Sequence, residues 1–274
     1  NEHEIELECA LLAAIRHSLR TTDRQLFIAG LVREMERSGA EPRVQARIAQ
    51  CVARVYTDNS GPLTSIIGAC VRLTTASLTS ELSDDAPDIA EQQALRDEVV
   101  RAVGVLARNT ADAAAKMGAI VTIVREIEPA EQALKPPSGN STVAAAFVRM
   151  AAEVAATIAQ PTKPPLNYDE FMRALLALVE RRAPAVRRGA LDVLAAVVAG
   201  GRAAALLDAL DETAEHVRET AELLARDAAG TSALAQQSVA IRSSVLAALA
   251  MSTNTPYHVW ACWRVLAFML LRLR

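Results

Sequence analysis

Apolar side chains recur at the spacing of an α-helix along nearly the whole chain, whereas the strict alternation typical of a β-strand is almost absent. In the segment that follows Pro42, for example, the apolar residues from Val44 to Val55 fall on one face of a helix. Prolines and glycines stand mainly between such segments, where they begin or end helices. The pattern predicts an all-α protein of about ten to twelve helices.

The longest pattern lies in residues 88–128, which contain no proline. Its inner positions alternate in steps of four and three, as in the seam of a coiled coil. They are Val99, Val103, Leu106, Thr110, Ala113, Met117, Ile120, Val124 and Ile127. A second seam of this kind covers residues 207–228. The spacing leaves open whether residues 88–128 form one long helix or two helices that meet near Asn109.

Two architectures fit these helices. The long seams favour helices packed at shallow angles, so we predict a multi-helix bundle. The alternative is an irregular HEAT-like helical solenoid, because Val186-Arg187, Ala190 and Val193-Leu194 resemble the second helix of a HEAT-type repeat. The intervals between segments of this kind are uneven, which favours the bundle.

Two proline-containing stretches are predicted to be linkers, near residues 129–140 and near residues 160–166. The first would divide the chain into an N-terminal helical subdomain, residues 1–135, and a C-terminal one, residues 141–274. One continuous domain is the alternative, because the helical pattern resumes directly after each stretch.

Composition supports the helical prediction and narrows the class of protein. Apolar residues make up 51% of the chain but aromatic ones only 3%, and a core of Ala, Val and Leu suits packed helices better than sheets. The net charge of −3 is unlike that of a protein that binds nucleic acid over a broad surface. The chain has four cysteines and no Cys-x-x-Cys pair: Cys9, Cys51, Cys70 and Cys262. This pattern predicts buried free thiols and an intracellular, cytoplasmic location.

Further patterns argue against an export signal, a membrane span and an enzyme. The N-terminal residues are acidic, unlike a signal peptide, and no run of apolar residues is long enough for a spanning helix. No nucleophile elbow, phosphate-binding loop or zinc-binding His motif occurs. In the acidic segment 208–222, Glu212 and His216 lie one turn apart, but the acids mostly face away from the apolar seam. We therefore predict no catalytic residue, no cofactor and no metal.

The densest basic cluster surrounds Pro184 and is the first candidate site. One interpretation is charge at helix ends, where cations are favourable near a C-terminus. The other is a patch for phosphate or for an acidic partner. Its residues are Arg181, Arg182, Arg187 and Arg188.

The final helix, predicted over residues 257–273, is the second candidate site. Both tryptophans of the chain lie in it, and few of its positions are polar. Such a helix is usually buried, in its own core or in a partner subunit, and a third option is contact with a membrane surface. The candidate partner-binding residues are Tyr257, Trp260, Trp263, Leu266, Phe268 and Leu270.

Together these patterns predict a non-enzymatic helical scaffold or structural protein that acts through protein–protein interaction and self-association. The alternative is a viral-type nucleic-acid-binding helical protein that uses the local arginine patch.

Overall fold

The computed structural model describes residues 2–37, 41–57, 61–81, 89–134, 142–158, 168–200 and 228–273. Within these ranges the chain forms eleven α-helices and no β-strand, which confirms the all-α prediction. The helices are α1 (Glu2–Ser18), α2 (Thr21–Met35), α3 (Pro42–Val55), α4 (Leu63–Glu81), α5 (Ile89–Arg108), α6 (Ala113–Leu134), α7 (Thr142–Ala155), α8 (Tyr168–Val179), α9 (Pro184–Ala199), α10 (Ala228–Leu249) and α11 (Pro256–Arg272).

The helices belong to two compact units, Asn1–Val154 and Ala155–Arg274. In the first unit, α3 packs against α1, α2 and α5, and α4 packs against α5 and α6. In the second unit, α8 and α11 both pack against α9 and α10. The predicted subdomains, residues 1–135 and 141–274, remain a prediction.

Residues 88–128 contain two helices, α5 and α6, and not one. Asp112 Oδ1 accepts a hydrogen bond from the Ala114 N–H at 2.8 Å and so caps the start of α6. The Asn109 amide, just after α5, donates to the Ala53 carbonyl of α3 at 3.0 Å. The heptad seam is nevertheless buried on both sides of the break, with Leu106 1% and Met117 4% exposed.

The predicted first linker begins too early. Pro129 lies inside α6, which continues to Leu134. Proline removes one backbone hydrogen bond from a helix, but the neighbouring Ile127 and Ala130 are buried and keep this turn packed. Residues 135–140, the second predicted linker at 160–166 and almost all of the second heptad seam lie outside the described residues.

Burial is uneven along the chain. All four cysteines are buried free thiols, as predicted. In α7 and α9 large side chains are fully enclosed, for example Phe147 and Leu194. In α1, by contrast, the described side chains 6–18 include only two buried ones, Cys9 and Arg16. The α1 helix is therefore held by a small contact area, mainly against α3.

Candidate interaction site

The last helix is fixed at its start by a histidine. Thr255 and His258 form a capping box, in which the Thr255 N–H donates to His258 Nδ1 at 3.1 Å. His258 Nε2 lies 3.0 Å from the carbonyl oxygen of Pro184, the first residue of α9. A neutral ring that carries its proton on Nε2 satisfies both contacts. The first turn of α11 is thus attached to the first turn of α9.

The other end of α11 is fixed by an arginine. Arg272 is buried, and its Nη1 donates to the Val198 carbonyl at 2.7 Å. The same guanidinium packs over Gly200, which ends α9 in the left-handed region with φ 58°. Because the start of α11 contacts the start of α9 and its end contacts the end of α9, the two helices run parallel.

One face of α11 belongs to the core of its unit. Cys262, Val265 and Phe268 are almost completely buried, on the side where α11 packs against α9 and α10. Of the candidate partner-binding residues, Phe268 therefore lies in the core, with 1% of its surface exposed. Phe268 is not available to a partner in this fold.

The opposite face of α11 carries a row of apolar side chains toward solvent. We call it the α11 stripe, and its members follow one another in steps of four, three, four and three residues: Val259, Trp263, Leu266, Leu270 and Leu273. Trp263 is 52% and Leu270 69% exposed, while Leu266 is half-buried. Trp260, 42% exposed, lies beside the stripe. Val259 and Leu273 are not among the residues predicted from the sequence, although their heptad spacing indicates that they belong to the same face.

Polar and aromatic side chains join α9 to α11 next to this stripe. The Tyr257 hydroxyl and Arg264 Nη2 both donate to Asp192 Oδ1, the latter at 2.8 Å. The Arg264 guanidinium lies 4.5 Å from the Trp260 ring centroid, and that of Arg188 lies 4.2 Å from the Tyr257 ring centroid. Burial, and then the hydrogen bond to Asp192, raise the pKa of Tyr257. We call these five residues the α9–α11 cluster.

The two candidate sites of the sequence therefore meet, because Arg188 of the basic patch stacks on Tyr257 of the last helix. The other patch residues differ in exposure. Arg182 is exposed and Arg181 is half-buried, but Arg187 is completely buried. The prediction that all four arginines form one surface patch is wrong for Arg187.

The buried guanidinium of Arg187 is surrounded by backbone carbonyls and a hydroxyl that accept its hydrogen bonds. Its Nη1 donates to the carbonyls of Arg181 at 2.9 Å and Arg182 at 3.2 Å, and its Nη2 donates to Thr253 Oγ1 at 2.9 Å. Burial lowers its pKa. The pattern of α9 already contained the reason, since Arg187 stands between Val186 and Ala190, which face the core.

Among the described residues, no three His, Cys, Asp or Glu side chains form a group that could hold a metal ion. No helix in these parts of the chain has the length and hydropathy that crossing a bilayer requires. The acidic segment 208–222 lies outside the described residues.

No curated protein and no solved structure shows a significant match to the chain. A family model described as EFR3, armadillo repeat, matches residues 4–274. Armadillo repeats stack sets of two or three helices into a solenoid, so the match favours the solenoid that was the alternative over the bundle. Because the match covers nearly the whole sequence, the chain belongs to the EFR3 armadillo-repeat family.

Proposed function

We propose that this chain is a non-enzymatic scaffold that binds an amphipathic helix of a partner protein along the α11 stripe. Membership of an armadillo-repeat family supports the general class, a helical-repeat scaffold for protein interaction. The observation that carries the specific proposal is the row of solvent-facing apolar residues at heptad spacing on α11.

The spacing of the stripe defines the chemistry of the partner. Steps of four and three residues place side chains where a second helix with the same period can interdigitate. The stripe from Val259 to Leu273 is about 21 Å long at the rise of an α-helix, so a partner helix of four turns would cover it. Trp263 and Leu270 are the anchors we expect, since large exposed apolar side chains gain about 1.5–3 kcal/mol each when fully buried.

A second copy of this chain carries such a helix, and we therefore also propose that the chain self-associates through the α11 stripe. A heptad stripe is able to pair with itself about a two-fold axis, because the same patch then serves both subunits. The α9–α11 cluster would lie at the border of that contact, with Arg188 and Arg264 already held over aromatic rings.

The nucleic-acid alternative receives no support from the described residues. Arg187 is buried against backbone carbonyls, so the patch that motivated the alternative lacks one of its four side chains. Of the other three, Arg181 is half-buried and the exposed Arg188 is stacked on Tyr257. A viral origin likewise has no support.

We also propose an intracellular location for the chain. All four cysteines are buried as free thiols, which is the usual state in a reducing compartment. Fractionation of cells that express the tagged chain would test this, and recovery from the secreted fraction would contradict it.

The test compares a double variant of the stripe with a matched control. Trp263→Ser with Leu270→Ser removes the two anchors, and Val239→Ser with Leu246→Ser removes two exposed apolar side chains of α10. The probe is an unlabelled peptide of residues 256–273, which carries the same heptad pattern. Calorimetry measures binding of the peptide, and light scattering after size exclusion measures the mass of the full chain.

We expect the stripe variant to bind the peptide at least about tenfold more weakly than wild type, and the control to bind as wild type does. If the wild-type chain is a dimer, only the stripe variant should be monomeric. Equal binding by both variants would contradict the proposal. Binding to anionic vesicles that depends on the same anchors, without peptide binding, would show a membrane-contact surface and would also overturn it.

A further inference from the structure

Two buried thiols on different helices are in contact. Cys9 of α1 and Cys51 of α3 have their sulfur atoms 3.3 Å apart, within hydrogen-bond distance for two thiols. Both are nearly enclosed, at 6% and 3% exposure. The sulfur atoms of a disulfide are about 2.05 Å apart, so the two need to approach by little more than 1 Å. We propose that Cys9 and Cys51 are an oxidation site that closes to an intramolecular disulfide, with a low-molecular-mass disulfide as the oxidant.

Polar contacts on both sides of the pair hold α1 and α3 in this register. One turn away, Arg47 donates from Nε and Nη2 to the two carboxylate oxygens of Glu8, at 2.6 and 2.7 Å. Toward the other end of α1, Arg16 Nη1 donates to the Val55 carbonyl at 2.6 Å. The two thiols are therefore aligned by neighbours that do not themselves take part in the reaction.

The small contact area of α1 gives the oxidant access. The described part of α1 buries only Cys9 and Arg16, while Leu7 and Leu11 are more than half exposed. A helix with so few buried apolar contacts opens locally at a lower free energy than the core does. This opening uncovers both thiols, and we assign the first attack to Cys9 because it lies on the helix that moves.

The reaction is two successive thiol–disulfide exchanges. The Cys9 thiolate attacks one sulfur of glutathione disulfide, which forms a mixed disulfide and releases one glutathione thiolate. When α1 closes, the Cys51 thiolate attacks Cys9 Sγ and expels the second glutathione thiolate. The two protons lost by the cysteines are taken up by the two glutathione thiolates, so two protein thiols are oxidised and one glutathione disulfide is reduced.

The closed state protects the pair from this reaction. Burial, followed by the hydrogen bond between the Cys51 and Cys9 thiols, raises the pKa of Cys51 to about 12. Because the thiolate is the reactive form, both cysteines must lose their protons while α1 is open, before the second exchange closes the disulfide. Oxidation should therefore be slow in the folded protein and faster when α1 is loosened, for example by Arg47→Ala.

The other two cysteines provide internal controls. Cys70 lies in α4 and Cys262 in α11, and both are at least as deeply buried as the pair. No described thiol is in contact with either of them. Neither should form a protein disulfide under conditions that link Cys9 to Cys51.

The experiment incubates the full chain in glutathione redox buffers, quenches with acid, alkylates the free thiols and maps the peptides by mass spectrometry without reduction. We expect a Cys9–Cys51 linked peptide, with Cys70 and Cys262 alkylated. The linked protein should melt roughly 5 °C higher than the reduced one, and dithiothreitol should reverse the shift. Cys51→Ala should stop at the mixed disulfide on Cys9, and Cys70→Ala should still form the link.

Three results would overturn the proposal: both thiols remaining alkylated in strongly oxidising buffer, a wild-type product that stops at glutathionylated Cys9, or links to Cys70 or Cys262 at equal yield. The effective concentration of the pair should also be at least about tenfold higher in the folded than in the urea-unfolded chain. Equal values would show that the fold does not bring the two thiols together. These measurements use wild-type protein and therefore decide the question even if a variant fails to fold.

Discussion

The guanidinium of Arg187 lies where the end of α8, the start of α9 and the turn before α11 meet. It donates to the Arg181 and Arg182 carbonyls in the turn between α8 and α9, and to the Thr253 hydroxyl in the turn before α11. No described carboxylate pairs with it. Its charge is thus balanced by backbone dipoles, which makes it a structural residue rather than a docking residue.

Replacement of Arg187 should therefore destabilise the second unit. Arg187→Met keeps most of the volume but removes the guanidinium that donates to the Arg181 and Arg182 carbonyls, at an expected cost of about 2–4 kcal/mol. Urea unfolding followed by circular dichroism measures the loss. The control is Arg182→Met, which removes an exposed side chain and leaves its carbonyl in place, so it should change stability by less than about 0.5 kcal/mol. Equal losses would show that Arg187 has no special role.

The sequence prediction placed Arg187 in a surface patch, but its side chain is buried. The composition of the arginine cluster around Pro184 does not reveal which side chains point to solvent and which to the core. Only the helical phase distinguishes Arg187, because it shares the inner face with Val186 and Ala190. Contacts between distant segments, such as Arg187 with Thr253 or Asp192 with Arg264, carry no signal in a single sequence.

At the scale of elements, helix starts were easier to predict than helix breaks. Pro42, Pro184 and Pro256 each occupy the first turn of a helix, where the missing N–H costs nothing. The break between α5 and α6 has no proline or glycine, and it is marked by two side-chain hydrogen bonds: Asn109 donates to the Ala53 carbonyl, and Asp112 accepts from the Ala114 N–H. Such bonds are made only in the folded molecule, so the heptad pattern alone could not decide between one helix and two.

The N-cap of α6 gives a prediction at this scale. Asp112→Ala removes the oxygen that accepts the Ala114 N–H, and it should cost about 1 kcal/mol. Asp112→Asn retains a capping oxygen and should be close to wild type. Thermal unfolding of both variants measures the difference. An Asp112→Ala protein as stable as wild type would mean that the break is set by packing alone.

For the molecule as a whole, the end of an independently folding N-terminal fragment depends on whether α7 belongs to the first compact unit. The predicted N-terminal subdomain stops at residue 135, before α7, whereas the first compact unit extends to Val154. Arg149 of α7 pairs with Asp97 of α5, and Phe147 is completely buried. Removal of α7 would therefore expose part of the core of this unit.

A comparison of two fragments tests this assignment. Residues 1–158 should unfold cooperatively in urea, whereas residues 1–135 should have a clearly lower midpoint, because the core that α7 covers is open. Circular dichroism at helical wavelengths follows both transitions. Identical midpoints would favour the boundary that the proline-rich stretch suggested.

The uneven distribution of tryptophan has a practical consequence. The chain contains two, Trp260 and Trp263, and both are about half exposed on the same side of the last helix. Intrinsic emission from the protein therefore originates almost entirely from one small region of its surface. A blue shift in that emission, or reduced quenching by iodide, would report that this region has been covered, without any added dye.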